Sequence, residues 1–477
     1  MPKRNLILVL ALLAAAVVVL IAMRKGGPLG GEDELAHLKV VASALRQIKD
    51  NFYHLEATPQ TGQGEQTQPG PSDQELIEGA IAGMVGKCDD EYSQFLPDGQ
   101  RLCDRLQGKA QGVGLKIEID DSGVTIIGAV RGSSAYRARL ARGMKLVSID
   151  GAPMAGKTAA QVQALLDAPA GQKLGLVIRG GSDEKPCELV SEQLPVESVQ
   201  GLYRDGGGQW VYQAGTGDCR IVYLRVSEFL PDTMEKIQAV VRSAGRIDAM
   251  VLDLRDNPGG DFKASREVAD LFLRKGPIVS VRNRRPPAER FSAHDSGTLE
   301  DFRLAVLVNA ATASGAEIVA GSLKLNDRAV VVGTRTRGKG CVQQVFKLEG
   351  DNKYAIAITV AEYFIGDDQP IARRPGSDAW GVDPHREVTV SDELSRQLNR
   401  LRIEIECCSP VQPSSATAPD DAACDIATTA AKYLELDPQI HCAIGLLRDP
   451  PKMQEVFEQA RRQRQAAKEA LHNEGKR

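Results

Sequence analysis

The sequence predicts an α/β protein in which a helical region and a small β-rich region precede the main sheet. From residue 221 onward, short apolar strands alternate with amphipathic helices, which is the pattern of a parallel sheet covered on both faces. Between residues 112 and 179, short strands bounded by glycines dominate instead. The composition, 42% hydrophobic and 26% charged, is that of an ordinary folded chain, and 477 residues suffice for two or three domains.

An uncharged apolar run lies near the start of the sequence, from Leu6 to Met23, with basic residues on both sides. As a helix it would reach about 27 Å, close to the hydrocarbon thickness of a bilayer. The run is longer than the apolar core of most cleaved signal peptides. Residues 1–25 therefore favour an uncleaved anchor over a removed signal. This predicts a single-pass protein of the cell membrane, with the remaining chain on the exported, periplasmic or extracytoplasmic side.

Charge and cysteine content limit the partners and cofactors that we expect. A net charge of −4 with no broad basic face predicts no nucleic-acid partner. The nine cysteines do not show zinc-ligand spacing with histidines, so we expect neither a metal nor a cofactor. Because nine is odd, at least one thiol is free or paired between chains. Disulfide pairing after residue 400 and the formation of homo-oligomers both stay open.

Residues 34–103 are predicted to form a helical region. "LAHLKVVASALRQIKDNFYHL" and "ELIEGAIAGMVGK" have helical periodicity, and a stretch rich in Gln, Thr, Gly and Pro separates them. The β-rich region follows at 104–192. Its strands are "GLKIEID", "VTIIGAV", "KLVSID" and "KLGLVIR", with one clear helix, "TAAQVQALLDA", before the last of them.

The alternating α/β region spans residues 193–402. Residues 403–477 begin as a loop and continue as helices, of which the last is polar, basic and expected to be exposed. Ligand sites of open parallel sheets lie in loops at the carboxyl ends of the strands. Two such loops are "LDLRDNPGGD", which contains Gly259 and Gly260, and "VNAATAS", which leads to Ser314 at a helix start.

Ser314 has two interpretations. With Glu317 three residues later it forms the pattern of a capping box, which is common and purely structural. A helix start also favours negative charge, so the same position suits a nucleophile beside backbone N–H donors. A serine nucleophile needs a base. A triad with a histidine such as His294 stays open, since triads assemble across the sequence.

Lys339, which stands between two glycines in "TRTRGKGCVQQV", is the alternative base. An ordinary lysine has a pKa of about 10.4 and is charged at pH 7. To act as a base it must be desolvated or lie near positive charge, and Arg335 and Arg337 are close in sequence. Taken alone, a Gly-Lys-Gly turn is more typical of an exposed loop.

Three ordered motifs, "LDLRDNPGG", "TASGAEIVAG" and "GKGCVQ", resemble those of the carboxyl-terminal processing (tail-specific) serine proteases. "DDEYSQFL", "AIAITVAEYF" and "GVDP" extend the resemblance. It implies a crotonase/Clp-like α/β core in which Ser314 is the nucleophile, Lys339 the general base and Gln343 the residue that orients the lysine. The oxyanion donors would be the N–H groups of Gly259 or Gly260 and of Gly315.

The sequence departs from the family pattern at Ala316, where a second serine is common, and at Arg337, where an aromatic residue is common. These differences concern the shape of the pocket and the surroundings of the lysine.

The β-rich region resembles a PDZ domain whose carboxylate-binding loop is Gly112, Val113, Gly114 and Leu115. This implies that apolar carboxyl-terminal tails of polypeptide substrates add to the edge of "GLKIEID". Together with the apolar run from Leu6 to Met23, the resemblances imply a membrane-anchored, exported serine endopeptidase. Two alternatives stay open: a membrane-tethered PDZ scaffold with a degenerate protease core, and a crotonase-type acyl enzyme.

Overall fold

The computed structural model describes residues 32–51, 71–120, 122–214, 219–284, 287–299, 301–348, 353–366, 369–407 and 426–474. The chain divides into two compact units, one up to Phe95 and one from Leu96. The first unit contains helices α1 (Glu32–Asn51) and α2 (Asp73–Gly86), and the short strand β1 (Gln94–Leu96) spans the boundary. Helix α2 begins at a capping box formed by Ser72 and Glu75.

Within the second unit, residues 99–195 form what we call the small β region. Its elements are α3 (Gly99–Leu106), β2 (Lys109–Gly112), β3 (Leu115–Asp120), β4 (Gly123–Ala129), α4 (Ser134–Arg137), β5 (Lys145–Ile149), β6 (Ala152–Pro153), α5 (Ala159–Leu166), β7 (Lys173–Gly180), β8 (Asp183–Val190) and β9 (Glu192–Pro195). The antiparallel sheet has the order β3-β4-β5-β7-β8, which places β3 at an edge. Strand β7 alternates between exposed and buried residues, as a sheet with one buried face should.

The remaining elements build the core of the second unit. They are β10 (Val199–Gln200), β11 (Tyr203–Arg204), β12 (Trp210–Val211), β13 (Ile221–Val226), α6 (Thr233–Ala244), β14 (Ala249–Asp253), α7 (Phe262–Leu271), β15 (Pro277–Asn283), β16 (Glu289–Ser292), β17 (Arg303–Val308), α8 (Gly315–Leu325), β18 (Ala329–Gly333), β19 (Cys341–Lys347), β20 (Ala355–Ile365), β21 (Gln369–Pro370), β22 (Arg386–Glu387), α9 (Asp392–Cys407), α10 (Ile426–Leu436), α11 (Pro438–Arg448) and α12 (Pro450–Glu474).

The main sheet has the order β10-β13-β14-β17-β18-β22. Within this sheet, β13, β14, β17, β18 and β22 run parallel to one another, and β10 is antiparallel to β13. Every residue of β13, β14 and β18 is buried because helices cover both faces: α6, α7 and α8 on one, α9 to α12 on the other. The α/β class predicted from the alternation is confirmed.

A second, antiparallel sheet packs beside helix α8. It contains β15, which pairs with β16 and β20, while β20 also pairs with β19 and β21. A Cβ atom on Gly321 of α8 would lie 2.7 Å from Cγ1 of Ile365 in β20, so helix and sheet are in close contact. Because β19 belongs to this sheet, the packing places the segment just before β19, which carries Lys339, close to helix α8.

The carboxyl-terminal helices differ from the sequence-based expectation. Helix α12 was expected to be exposed, but Met453, Val456 and Phe457 on it are buried in the core beneath the main sheet. Its charged residues form one face and its apolar residues the other, so a polar average composition concealed a packing face.

The predicted single-pass membrane location is wrong, because it conflicts with the helices that the structure describes. Among the described residues, no helix has both the length and the apolar composition needed to cross a membrane. The two longest described helices, α1 and α12, are both rich in charged residues. The apolar run at 6–23, on which the prediction rested, lies outside the described residues.

Candidate active site

Ser314 occupies a strained backbone position at the start of α8. Its φ of 56° and ψ of −123° lie in a region that side-chain-bearing residues seldom adopt. Such conformations persist only where the surrounding structure enforces them, and they are concentrated at functional sites. The residue is half-buried, and its backbone N–H donates to the carboxylate of Glu317 (2.8 Å), which is the backbone half of the expected capping box. The strained turn places the Ser314 side chain against the glycine loop after β14.

The glycine loop after β14 lies directly against Ser314. Gly259 has a φ of 102°, and a Cβ atom there would lie 2.7 Å from Cβ of Ser314 and 2.9 Å from the nitrogen of Gly315. Only glycine satisfies both conditions. The N–H of Ala313 donates to the carbonyl oxygen of Asn257 (2.9 Å), which joins the two loops.

The three predicted oxyanion donors differ in their surroundings. The N–H of Gly259 donates to Oδ1 of Asn257 (2.8 Å), so it is already engaged in this structure. Gly315 is the first residue of α8, where a backbone N–H has no partner inside the helix and the helix dipole favours negative charge. Gly260, with a φ of 139°, lies against the backbone of Phe229. Of the three N–H groups, that of Gly259 is thus occupied by Asn257, and the oxyanion role of these glycines stays a prediction.

A buried carboxylate joins the serine segment to the lysine segment. Glu317 is fully buried, and its Oε2 accepts from the N–H groups of Ser314 (2.8 Å) and Lys339 (2.9 Å). Its Oε1 accepts from the N–H of Gly338 (2.8 Å) and the hydroxyl of Thr336 (2.5 Å). Because one oxygen bonds both nitrogens, the backbones of Ser314 and Lys339 are held next to each other.

The electrostatics of Glu317 follow from this arrangement. Burial raises the pKa of Glu317 above its ordinary value, while the hydrogen bonds from Thr336, Gly338, Ser314 and Lys339 act in the opposite direction. All four partners are donors, so they suit the ionised carboxylate, which only accepts.

Lys339 itself is half-buried, and its carbonyl oxygen accepts a hydrogen bond from the hydroxyl of Tyr363. The flanking glycines are needed for packing: a Cβ on Gly338 would lie 3.0 Å from Cε3 of Trp380, and one on Gly340 would meet the backbone of Ala372. The backbone on both sides of Lys339 is therefore closely packed, and the entry of the lysine side chain into a catalytic site stays a prediction.

Gln343 lies in β19, after a β-bulge between Val342 and Gln343. Its amide nitrogen donates to Sγ of Cys341 (2.9 Å) and to Oγ1 of Thr359 (3.3 Å). The expected contact of the Gln343 amide with the amine of Lys339 stays a prediction.

His294, the histidine named above as a possible base, and the half-buried His385 have the following surroundings. His294 is 80% exposed, and its Nδ1 lies 3.6 Å from a carboxylate oxygen of Asp270. His385 accepts the N–H of Val331 at Nδ1 (3.0 Å), and burial lowers its pKa to about 3. Across the residues that the structure describes, no group of three or more His, Cys, Asp or Glu side chains could hold a metal ion.

The predicted carboxylate-binding loop, residues 112–115, connects β2 to β3 in the small β region. Gly112 and Gly114 have positive φ, and the N–H of Val113 donates to the carbonyl oxygen of Leu166 (3.1 Å). The loop therefore lies between the edge strand β3 and the end of helix α5.

Sequence reasoning missed the part that Glu317 plays. The spacing from Ser314 was read as a local capping box, but three of the four donors to this carboxylate lie beyond residue 335. Thr336 was not singled out at all, and no pattern in the sequence identifies it.

Comparison with known proteins gives consistent matches. The model of "Peptidase family S41" matches residues 220–388, which include both site loops and Lys339. The chloroplastic carboxyl-terminal-processing peptidase 2 of Arabidopsis thaliana is 33% identical over 295 residues, which are 60% of this chain and 56% of that protein. The chain thus spans less than two thirds of that relative.

The carboxyl-terminal-processing protease of Picosynechococcus is 30% identical over 60% of this chain and 67% of its own length. Among solved structures, the photosystem II D1 C-terminal processing protease aligns with 75% of this chain and 94% of its own, at 24% identity and a TM-score of 0.42. On the sequence matches, the chain belongs to peptidase family S41, the carboxyl-terminal-processing serine proteases.

Proposed function

We propose that this chain is a serine endopeptidase that binds apolar carboxyl-terminal tails and cleaves polypeptides with Ser314, Lys339 and Gln343. The observation that most directly supports the proposal is the buried Glu317 carboxylate, which bonds the N–H groups of Ser314 and Lys339 with one oxygen. Ser314 and Lys339 come from separate loops, and this bridge fixes the position of one relative to the other, as a shared catalytic role would require.

In the proposed acylation step, Oγ of Ser314 attacks the carbonyl carbon of the scissile bond as Nζ of Lys339 takes the hydroxyl proton. The oxyanion that develops accepts hydrogen bonds from the N–H groups of Gly260 and Gly315, and the N-terminus of α8 favours its charge. The C–N bond then breaks as the Lys339 ammonium returns the proton to the leaving amine, and an ester on Ser314 remains.

In the proposed deacylation step, a water molecule attacks the ester carbonyl and gives its proton to Lys339. The second oxyanion collapses, the C–O bond to Ser314 breaks, and the proton passes back to Oγ. Gln343 lies on the strand that follows the lysine, and we assign it the task of orienting the amine. This assignment requires the amide to exchange its contacts with Cys341 and Thr359 for one with Lys339.

We further propose that residues 104–192 act as a PDZ domain, with 34–103 as a helical region, 193–402 as the protease core and 403–477 as a carboxyl-terminal extension. Strand β3 is at the edge of its sheet and α5 packs beside it, which supports binding of an extended tail along β3. Residues 112–115 lie at the start of that edge, where a terminal carboxylate would end.

The test is cleavage of an unfolded protein, and of a peptide with an apolar carboxyl-terminal tail, by the full chain. Ser314→Ala and Lys339→Ala should each lower kcat/KM by about a thousandfold or more. His294→Ala, which changes an exposed side chain, should retain full activity. Peptide binding by Ser314→Ala should equal that of the unchanged chain, because the hydroxyl contributes to chemistry rather than to tail binding.

Two results would reject the proposal. Cleavage that survives Ser314→Ala would place the nucleophile elsewhere. Tail binding without cleavage by the unchanged chain would favour a non-catalytic scaffold.

A further inference from the structure

A cavity of about 630 Å³ lies at the carboxyl edge of the main sheet. Its described lining includes neither Ser314 nor Lys339, so it is distinct from the candidate active site. It is lined by the ends of the parallel strands on one side, among them Arg225, Arg255 and Asn309, and by α9 to α11 on the other, among them Arg396 and Arg402. Carboxyl ends of parallel strands are where sheets of this class bind ligands.

The charged groups on this lining are mostly cationic. Four arginines and one carboxylate, Asp256, are among the described lining residues. Arg396 is paired with Glu393 on the same helix, whose carboxylate oxygen lies 2.6 Å from its Nη2. Asp256 is paired with Arg402, whose Nη1 lies 2.7 Å from Oδ2 of Asp256. The volume is within the range of small-molecule sites, about 300–1,000 Å³.

Two buried arginines in the lining differ in how well their donors are satisfied. Arg255 donates at 2.6 Å to each of two carboxylates, Asp253 and Asp437, and its remaining N–H groups also have acceptors. These carboxylates do not line the cavity. The hydrogen-bond donors of Arg255 are therefore satisfied by other residues of the protein.

Arg225, in contrast, lacks such close acceptors for its guanidinium group. Its side chain is 6% exposed, and its nearest carboxylate contacts, with Asp253 and Asp256, are 3.7 and 3.6 Å long, beyond hydrogen-bond distance. Its Nε has no hydrogen-bond partner among the described residues. The Nε of Arg402, which lines the same cavity, also has no hydrogen-bond partner among the described residues. Two guanidinium groups at the cavity wall thus have buried Nε donors available for an acceptor inside it.

We propose that this cavity binds a small multivalent oxyanion, a phosphate- or carboxylate-bearing molecule, held by Arg225, Arg396 and Arg402. Guanidinium groups bind such ions through paired, charge-assisted hydrogen bonds. Asn309, which lines the cavity and bonds Asp256, begins the loop that leads to Ser314. A bound anion would thus restrain the loop ahead of the candidate nucleophile.

The test uses the full chain carrying Ser314→Ala, so that it does not depend on peptidase activity. Pyrophosphate, inorganic phosphate and citrate are titrated separately while Tm and binding heat are recorded, with sodium chloride matched for ionic strength. We expect at least one of the three to bind saturably and to raise Tm by several degrees, roughly as a ligand at 100 times its Kd should. The ranking of pyrophosphate against citrate distinguishes phosphate from carboxylate recognition.

Variants decide whether the cavity is the site. Arg396→Gln removes an exposed lining arginine and should weaken affinity about tenfold, since a charge-assisted hydrogen bond is lost. Arg225→Lys should weaken it similarly while keeping the buried charge. Arg400→Gln is the matched control, because this arginine lies on the same helix but pairs with Glu118 of the small β region. The proposal is overturned if sodium chloride reproduces the Tm shift, or if Arg396→Gln and Arg400→Gln bind equally well.

Discussion

The side chain of Glu317 determines the geometry between two segments that are distant in sequence. It lies 22 residues from Lys339 along the chain, yet one of its oxygens bonds the N–H groups of both Ser314 and Lys339. Thr336 and Gly338 occupy the other oxygen. The carboxylate thus has four donors and no water-facing surface, which makes it a positioning residue rather than a reacting group.

We predict that Glu317→Gln lowers kcat much more than it changes KM. The amide keeps one acceptor oxygen but places an NH₂ group against N–H donors, so the lysine segment loses its bond to the serine segment. Buried hydrogen bonds to charged groups contribute about 1.5–3 kcal/mol, which corresponds to a loss of roughly ten- to a hundredfold. Steady-state peptidase kinetics, together with Tm, measure the effect.

Glu75→Gln is the matched control, since Glu75 completes an exposed capping box with Ser72 in the first unit. It should leave kcat and KM unchanged. Equal kinetic effects of the two substitutions would mean that Glu317 acts only as a helix cap.

At the scale of residues, the sequence identified the candidate groups but not their contacts. Ser314, Lys339 and Gln343 were found from short motifs, and the glycines around them from their turn chemistry. The bridge through Glu317 was missed because a capping box and a long-range carboxylate have the same local spacing. Which loops meet at that carboxylate depends on the order of strands in the sheet, and strand order is not written in a local pattern.

At the scale of elements, His385 extends the main sheet beyond its last long strand. Its N–H donates to the carbonyl oxygen of Val331 in β18 (2.7 Å), and its Nδ1 accepts the N–H of the same residue (3.0 Å). Burial, assisted by the positive charges of Lys324 and Arg464, lowers the pKa of His385 to about 3. The imidazole is therefore neutral in the folded state at any pH above that value.

This pairing predicts a pH dependence of stability. In the unfolded chain the imidazole has a pKa of about 6.5 and binds a proton as pH falls, whereas the folded chain does not. The free energy of unfolding should therefore fall by about 2 kcal/mol between pH 7 and pH 5. His385→Gln, which retains an acceptor for Val331, should remove this part of the dependence in urea titrations at each pH.

His294→Gln, which changes an exposed imidazole, should leave the dependence intact. A stability curve that is the same for His385→Gln and the unchanged chain would disprove the assignment.

The regular elements were predictable where periodicity was strong. β13, β14, β17 and β18 were each found from apolar runs, as their burial on both faces explains. The exposure of helix α12 was misjudged because its buried residues, Met453, Val456, Phe457 and Ala460, form one face of a helix whose average composition is polar. The segment of the eleven-residue strand β20 was expected to form one strand or a pair of strands. Its partners β15 and β19 both precede it, and β15 is separated from it by the elements from β16 to β19, so the local pattern did not indicate the pairing.

At the scale of the whole second unit, helix α9 connects the small β region to the core. Arg400 on α9 forms a paired contact with the carboxylate of Glu118, and Glu404 pairs with Arg142. Gly128 in β4 lies under the end of the helix, where a Cβ atom would be 2.8 Å from Cβ of Cys407. Helix α9 is thus one of the contacts between the two regions.

We predict that Gly128→Ala loosens this contact. The added methyl group forces Cys407 away, at a cost of about 1–3 kcal/mol for overpacking. Amide exchange in residues 400–407 should accelerate while exchange in β13 and β14 stays slow. Gly175→Ala in the same region is the control, because its added Cβ would be an ordinary 3.5 Å from the nearest atom. Unchanged exchange in α9 would show that the helix end adapts without moving.

The carboxyl-terminal helices have a consequence for shortened forms of the protein. Tyr433, Ile440 and Leu447 cover one face of the main sheet, and Asp437 supplies one of the two carboxylates that neutralise the buried Arg255. A premature stop codon ahead of Ile426 would expose the apolar residues of that sheet face to water and would remove one of the two carboxylates that pair with Arg255. We expect the shortened product to aggregate, although it would contain every residue of the candidate active site.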